Sequence, residues 1–205
     1  MHIIVTTARH TNQRVRSLAK ELAAALFSAV RINRGKLSLE ELVALARDKG
    51  ARRVLIVGRG LRGNPGRIVI LDTTFETVMF YPLIIALSGI KLAREQGVKP
   101  TPPPAPTPIV PSPAQGENAE FAQELAAALD LPYIEVDDLR EIATLYPRAI
   151  VVEWVGSKRT KHVVKFVSCS DRSAEGPKLF VKRPVYRRLT YEEVVGAVDT
   201  QDKAR

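Results

Sequence analysis

The sequence predicts an α/β fold of two structurally similar halves, and two internal matches support this. The hexapeptide ELAAAL at 21–26 returns unchanged at 124–129, an offset of 103 residues. The Ser-x-x-Glu spacing of a helix capping box at Ser38–Glu41 is matched by Asp138–Glu141, an offset of 100 residues. Nearly equal offsets indicate a repeated unit of about 100 residues. Both units contain helical periodicity and short apolar runs, so each half is predicted to be a mixed sheet packed with helices.

A proline-rich segment separates the two predicted halves. Residues 100–113 contain 8 of the 14 prolines, a composition that favours an extended polyproline conformation. We therefore predict a first half at 1–97, a Pro-rich linker at 98–116 and a second half at 117–205.

Composition excludes several classes of protein. With 205 residues, of which 45% are apolar, the chain can bury a core. Its longest apolar run, at 77–90, is interrupted by Pro82 and is shorter than the roughly 20 residues of a membrane helix. One cysteine and three histidines exclude a disulfide or zinc framework. We expect a cytoplasmic monomer with no cofactor, no metal site and no membrane contact.

The net charge of +9 is unevenly distributed along the chain. Residues 1–97 carry 16 Lys and Arg against 7 Asp and Glu, which accounts for +9. In the second half, residues 114–157 carry 2 against 9, whereas residues 158–188 carry 10 against 2. Clustered basic residues are typical of proteins that bind a polyanion such as nucleic acid. A solvated basic surface without a ligand is the alternative.

The first half begins with a predicted strand, a turn and a helix. Ile3–Val5 is apolar, and Thr11 and Asn12 are suitable N-caps for a helix that ends near Phe27. One face of this helix is apolar and is predicted to be buried: it carries Val15, Leu18, Leu22 and Leu26.

Threonines and arginines surround the start of this helix. Thr6, Thr7 and Arg9 occupy the turn, and Arg14 and Arg16 follow in the first helical turns. Free backbone N–H groups, the positive end of the helix dipole and arginine charge together suit a phosphate group. Equally, the threonines and Arg9 could serve only to satisfy the loop.

A basic link and a second helix come next. The link at 31–36, RINRGK, has three cations and a glycine, which allows close approach to a backbone phosphate. The helix is predicted from Ser38 to Lys49, with Gly50 just past its end. The continuous apolar run Val54–Val57 predicts a strand that is covered on both faces.

Residues 58–63, GRGLRG, match the GxGxxG pattern of dinucleotide-binding folds. That function needs a helix directly after the glycines, but Asn64–Gly66 continues the turn and 67–71 is typical of a strand. A glycine-rich loop between strands, with Arg59, Arg62 and Arg67 against a nucleic-acid backbone, is the favoured interpretation. A nucleotide-dependent enzyme remains an alternative.

The second half repeats the scaffold with different chemistry. The apolar runs at 77–92 fit either strands or a strand and a short helix. We then predict a helix with Asn118 as its N-cap, which runs to Leu129, and an acidic segment at 131–136. A strand at 149–156 is followed by a basic loop at 157–161, strands at 162–170 and 178–182, and a terminal helix at 191–198. His162 is interpreted as structural.

These motifs together resemble the Brix-domain family of ribosome-biogenesis proteins in its short archaeal form. The resemblance rests on Thr6-Thr7-x-Arg9 with Arg14 and Arg16, on Asn33-Arg34-Gly35 before a Ser-x-x-Glu helix, and on 63–66, GNPG. It implies two halves, each like the anticodon-binding domain of class II aminoacyl-tRNA synthetases. It also implies binding to ribosomal RNA or its precursor during subunit assembly, with other assembly proteins as further candidate partners. No paired carboxylates, nucleophile-base set or metal-ligand spacing stands out in the sequence, so we predict that the protein is not an enzyme.

Few aromatic residues accompany the cations, so we expect recognition of RNA backbone and shape with little base stacking. A protein-interaction scaffold within a ribonucleoprotein is a second alternative. The candidate RNA-binding residues are Thr6, Thr7, Arg9, Arg14, Arg16, Asn33, Arg34, Gly35, Lys36, Arg59, Arg62, Asn64, Arg67, Lys158, Arg159 and Lys161.

Overall fold

The computed structural model describes residues 2–190, which form nine strands and three α-helices. The strands are β1 (Ile3–Thr7), β2 (Ala29–Arg31), β3 (Arg53–Arg59), β4 (Pro65–Asp72), β5 (Met79–Lys91), β6 (Ile109–Ser112), β7 (Arg148–Trp154), β8 (His162–Ser168) and β9 (Ala174–Val181). The helices are α1 (Gln13–Ala25), α2 (Leu39–Asp48) and α3 (Gly116–Leu129). The terminal helix predicted at 191–198 lies outside the described residues.

These strands build one mixed sheet in the order β2-β1-β3-β4-β5-β9-β8-β7-β6. Strand β1 runs parallel to β2 and β3, and β6 runs parallel to β7. The other neighbours are antiparallel, including β5 and β9, which join the two halves. The predicted α/β class is confirmed. Because β1, β2 and β3 share a direction, their carboxyl ends meet at one edge of the sheet.

Helix α1 begins where the sequence predicts. The Asn12 side chain accepts a hydrogen bond from the Val15 N–H at 3.1 Å and so caps the helix. The apolar face at Val15, Leu18 and Leu22 is buried against the sheet. Local capping and periodicity therefore determine this element.

Helix α2 is capped by the predicted reciprocal pair. The Glu41 N–H donates to Ser38 Oγ at 3.1 Å, and the Ser38 N–H donates to Glu41 Oε2 at 2.7 Å. The helix packs Leu42 on Val54 and Ile56, which lie on the face of β3 opposite to α1. Strand β3 is thus buried on both faces, as its continuous apolar run predicts.

Helix α3 carries the second ELAAAL sequence and packs in the same core as the first. Leu22 of α1 and Leu26, which directly follows the helix, lie in one apolar cluster with Leu125 and Leu129 of α3. The helix starts at Gly116, so the prediction that Asn118 is its N-cap is wrong. Asn118 is buried within the first helical turns, where it donates to the carbonyls of Pro113 and Val152.

Strand β6 lies inside the segment that we expected to be an extended linker. It pairs with β7 and forms an edge of the sheet. Pro111 lacks a backbone N–H, and a proline is tolerated in an edge strand because one side of that strand needs no partner. The high proline content of the segment is therefore the reason why the sequence did not predict this strand.

The order of elements in the two halves is similar. From β1 to β5 the order is strand, helix, short strand, helix and three strands, and from β6 to β9 it is strand, helix, 3₁₀ helix and three strands. Tyr133 forms a parallel bridge to Ile109 after α3, where β2 pairs with β1 after α1. The Asp138–Glu141 capping box is present, but it caps a four-residue 3₁₀ helix in the place of α2. The undecided apolar runs form a single strand, β5.

Candidate nucleic-acid interface

Three basic loops leave the sheet at the carboxyl ends of β1, β2 and β3. Their backbones are joined, because the Ala8 N–H donates to Val57 O at 2.9 Å and the Ile32 N–H donates to Val5 O at 3.0 Å. Ligand sites in α/β sheets commonly lie outside the carboxyl ends of the strands. The sheet therefore brings together Thr6–Arg16, Arg31–Lys36 and the glycine-rich loop, which are far apart in sequence.

A groove of about 350 Å³ lies between the first two of these loops. Its lining includes four arginines, with threonine, asparagine and glycine as further polar or small neighbours, and no Asp or Glu is among the lining residues. The predicted residues that line it are Thr7, Arg9, Arg16, Asn33, Arg34 and Gly35. Arg31 also lines it, although it lies outside the candidate set. Its position in the basic link at 31–36 was the available signal.

Three of these arginines are held by neutral oxygen atoms. Arg9 Nη2 donates to Lys36 O at 3.0 Å, and Arg16 Nη2 donates to Thr11 O at 3.2 Å. Arg31 Nη2 donates to Asn33 Oδ1 at 3.0 Å. Among residues 2–190 no ion pair involves Arg9, Arg16 or Arg31. Their charges are positioned without being neutralised by a described carboxylate.

Two members of the candidate set are mainly buried. Thr6 is fully buried, and its hydroxyl donates to Ile32 O at 2.8 Å, which ties β1 to the loop after β2. Arg34 is also buried, and its Nε donates to Leu37 O at 3.2 Å. The predicted contact of Thr6 with RNA is wrong for this conformation, because the side chain has no exposed surface. Lys36 is exposed beside the groove.

Arg14 is not among the residues that line the groove and is paired with an acidic side chain. Its Nη1 and Nη2 atoms lie 2.6 and 3.1 Å from Glu95 Oε1 and Oε2. These hydrogen bonds hold the pKa of the Glu95 carboxyl below its ordinary value. The ion pair links α1 to the segment after β5, so Arg14 is engaged in the fold rather than available to the groove.

The glycine-rich loop is a tight hairpin between β3 and β4. A Cβ atom on Gly60 would lie 2.7 Å from Gly66 Cα, so the two glycines allow the backbones to approach closely. The Asn12 amide donates to Gly63 O and holds the loop against the start of α1. Arg59, Arg62, Asn64 and Arg67 are exposed.

The structural context for a dinucleotide site is absent from this part of the described chain. A three-residue 3₁₀ turn follows the first glycines, and β4 begins at Pro65 where a phosphate-binding helix is required. The alternative of a nucleotide-dependent enzyme that uses this loop therefore does not fit the structure.

The second basic loop connects β7 and β8. Lys158 and Arg159 are exposed at its tip, and Lys161 is half-buried. Thr160 Oγ1 lies 2.7 Å from Ser88 Oγ on β5. Arg67 of the first half pairs with Ala86, two residues away on the same strand. Arg67 and the second basic loop thus lie beside neighbouring residues of β5.

No protein-family model matches the chain. A probable Brix domain-containing ribosomal biogenesis protein of Aeropyrum pernix is 36% identical over 92 residues, which is 45% of this chain and 51% of that protein. A protein of the same description from Methanococcus maripaludis is 38% identical over 93 residues, covering 45% of this chain and 49% of that protein. The chain is a homologue of the archaeal Brix-domain proteins. The resemblance inferred from its motifs is confirmed.

The fold agrees with this Brix-domain relationship. The crystal structure of a probable ribosomal biogenesis protein from Aeropyrum pernix K1 superposes with a TM-score of 0.75 at 26% identity. That match covers 91% of this chain and 98% of the other. In the sequence matches, the chain spans about half the length of the curated relatives.

None of the helices formed by residues 2–190 is both long and apolar enough to cross a membrane. Groups of three or more His, Cys, Asp or Glu side chains suited to a metal ion are absent from the same residues.

Proposed function

We propose that the chain acts in ribosome biogenesis by binding ribosomal RNA or its precursor, and that it assists rRNA processing and subunit assembly without catalysis. The Brix-domain relatives are described as ribosomal biogenesis proteins, which supports this role. Those descriptions name no mode of binding, and the mode that we propose rests on the residues that line the groove.

The convergence of basic loops at the carboxyl ends of β1, β2 and β3 carries the proposal. Arg9, Arg16 and Arg31 converge on one groove, and α1 starts beside it with the positive end of its dipole. Arginine, threonine and asparagine side chains are suited to phosphate oxygens. Since the lining of the groove contains no Phe, Tyr or Trp, it favours contact with the RNA backbone over base stacking.

Removal of single groove charges tests this proposal. Arg9→Ala and Arg31→Ala should each weaken RNA binding and lower the slope of log affinity against log salt by about 0.7–0.9 per lost phosphate contact. Fluorescence anisotropy of labelled ribosomal RNA fragments, measured over a series of salt concentrations, gives both quantities.

A matched control removes one exposed charge elsewhere. Lys49 directly follows the carboxyl end of α2, whereas Arg34 and Gly35 of the groove precede the start of that helix. The ten residues of α2 span about 15 Å, so Lys49 lies well away from the groove. Lys49→Ala should leave affinity and slope almost unchanged. Equal effects of all three variants, or no effect of any, would contradict a groove-specific contact.

The protein-interaction scaffold remains the competing function. It predicts that the isolated chain has little affinity for RNA at any salt concentration, so the same titration separates the two. We further propose that the halves arose by internal duplication, with boundaries near 1–97 and 117–205. We also propose that the protein is a cytoplasmic monomer. Light scattering of the purified chain would test the oligomeric state.

A further inference from the structure

Trp154 is the last residue of β7, directly before the second basic loop. The residue is 39% exposed, and the adjacent Val155 is 50% exposed. A tryptophan side chain has a large apolar surface that is normally buried in a core. Here it lies at the surface beside a loop that carries Lys158, Arg159 and Lys161.

The indole ring is held in place by its neighbours. It meets the His162 ring edge-on, with centroids 5.1 Å apart and planes at 71°. Lys161 Nζ lies 5.5 Å from the centre of the indole ring. A Cβ atom on Gly156 would lie 2.9 Å from Trp154 Nε1, so the glycine allows the chain to turn closely around the ring. The ring is therefore ordered before any ligand binds.

The neighbouring loop is ordered as well. The Val155 N–H donates to Lys161 O at 2.8 Å, and the Ser157 N–H donates to Thr160 O at 2.9 Å. The Ser157 hydroxyl also accepts from the Thr160 N–H at 2.9 Å. These bonds present Lys158 and Arg159 at a closed tip. Charge and an aromatic surface are thus fixed within a few residues of each other.

We propose that Trp154 stacks on an unpaired base of the bound RNA, while Lys158 and Arg159 contact the flanking phosphates. This inference rests on the proposed function and adds a single-stranded RNA segment to it. An exposed ring beside cations is the combination by which proteins bind unpaired nucleotides, because every base has a face that can stack. Bases within a duplex are already stacked and do not offer that face.

The chain contains one tryptophan, so fluorescence that is excited selectively from tryptophan reports on Trp154 alone. Titration of the intact protein with a single-stranded 12-mer of mixed sequence should quench this fluorescence to saturation. A duplex of equal phosphate concentration should quench it much less. Equal quenching by both RNAs, or no quenching by either, would overturn the stacking proposal.

Substitutions provide an independent readout through anisotropy of labelled RNA. Trp154→Leu should weaken binding of the single strand by about fivefold to a hundredfold, whereas Trp154→Phe should retain most of the affinity. Phe75→Leu is the matched control, because Phe75 is 46% exposed in the turn between β4 and β5. If Trp154→Leu does not fold, Trp154→Phe and the quenching of the wild-type protein still decide.

The outcomes separate this inference from the proposed function. A wild-type chain that binds no RNA would contradict both. A wild-type chain whose salt-dependent binding is weakened by Arg9→Ala, but which shows neither quenching nor an effect of Trp154→Leu, would contradict stacking alone. In that case an exposed Trp154 would fit a protein partner.

Discussion

The hairpins β3–β4 and β7–β8 occupy similar places in the two halves but present different surfaces. The first is narrowed by Gly60 and Gly66 and presents exposed arginines. The second replaces those glycines with a lysine-bearing loop beside Trp154. The two hairpins therefore share their place in the order of secondary structure but differ in the side chains that they expose. The ligand that we propose for the first hairpin is a phosphate backbone, and the one that we propose for the second is an unpaired base.

The largest expected difference between the halves concerns the first residue of β3 and of β7. Arg53 forms a buried ion pair with Asp72 at 2.9 Å and donates from Nε to Ala128 O of α3 at 3.1 Å. Arg148, at the equivalent place in β7, pairs with Glu175 at 3.1 Å and is more exposed. Removing one partner of a buried pair leaves an uncompensated charge, so Arg53→Ala should lower the free energy of unfolding by about 3–5 kcal/mol.

Arg148→Ala should lower that free energy by less, about 1–2 kcal/mol, because its pair with Glu175 is partly exposed to solvent and its hydrogen bonds to Thr101 lie at the surface. Urea denaturation of both variants measures the difference. Equal losses of unfolding free energy in the two variants would contradict an additional stabilisation from the hydrogen bond between Arg53 and α3. A single unfolding transition in each variant is also expected, since both halves contribute to one apolar core.

The second difference concerns the first residue of β8, the buried His162. Strand β4, which has the similar place in the first half, begins with Pro65. Burial lowers the pKa of His162 to about 4. Between that pKa and the unfolded value of about 6.5, the unfolded chain binds more protons. The free energy of unfolding should therefore fall as pH decreases from about 6.5 to 4, by at most about 3 kcal/mol.

Urea denaturation at several pH values tests this slope. His162→Gln should flatten the pH dependence between 4 and 6.5, whatever its effect on stability at pH 7. A slope that persists unchanged in this variant would assign the titration to another group.

The smallest expected difference concerns the glycines of the two hairpins. A Cβ at Gly66 would collide with Gly60 backbone, so Gly66→Ala should cost about 2 kcal/mol. Gly156 has φ +66°, and a Cβ there would meet the Trp154 side chain, so Gly156→Ala should cost about 1 kcal/mol. Thermal denaturation ranks the two. In addition, Gly156→Ala should alter Trp154 fluorescence, and an unchanged spectrum would contradict the close packing of that loop.

Local patterns predicted the elements whose physical causes are local. The Asn12 cap, the Ser38–Glu41 capping box and the continuous apolar run of β3 each act within a few residues. Where distant partners decide, prediction failed. Strand β6 forms despite Pro111 because β7 offers it an edge position. Asn118 is buried inside α3 because carbonyls of 113 and 152 accept its amide hydrogens.

The same distinction applies to the candidate interface. Basic composition and the family motifs were enough to make Arg9, Arg16 and Asn33 candidates for RNA contact without the structure. Their convergence on one groove depends on three parallel strands that are joined only through long-range pairing. Sequence spacing could not show that Thr6 is fully buried or that Arg14 pairs with Glu95, 81 residues away.

By itself, the sequence determined the α/β class, the capped helices, the basic character and the relationship to Brix-domain proteins. These follow from side-chain type and periodicity, which act over short stretches of chain. The tertiary structure alone decided that β5 and β9 join the halves into one sheet. It also decided which arginines share the groove and that Trp154 is exposed. Such properties depend on contacts between residues far apart in the chain, and no local pattern encodes them.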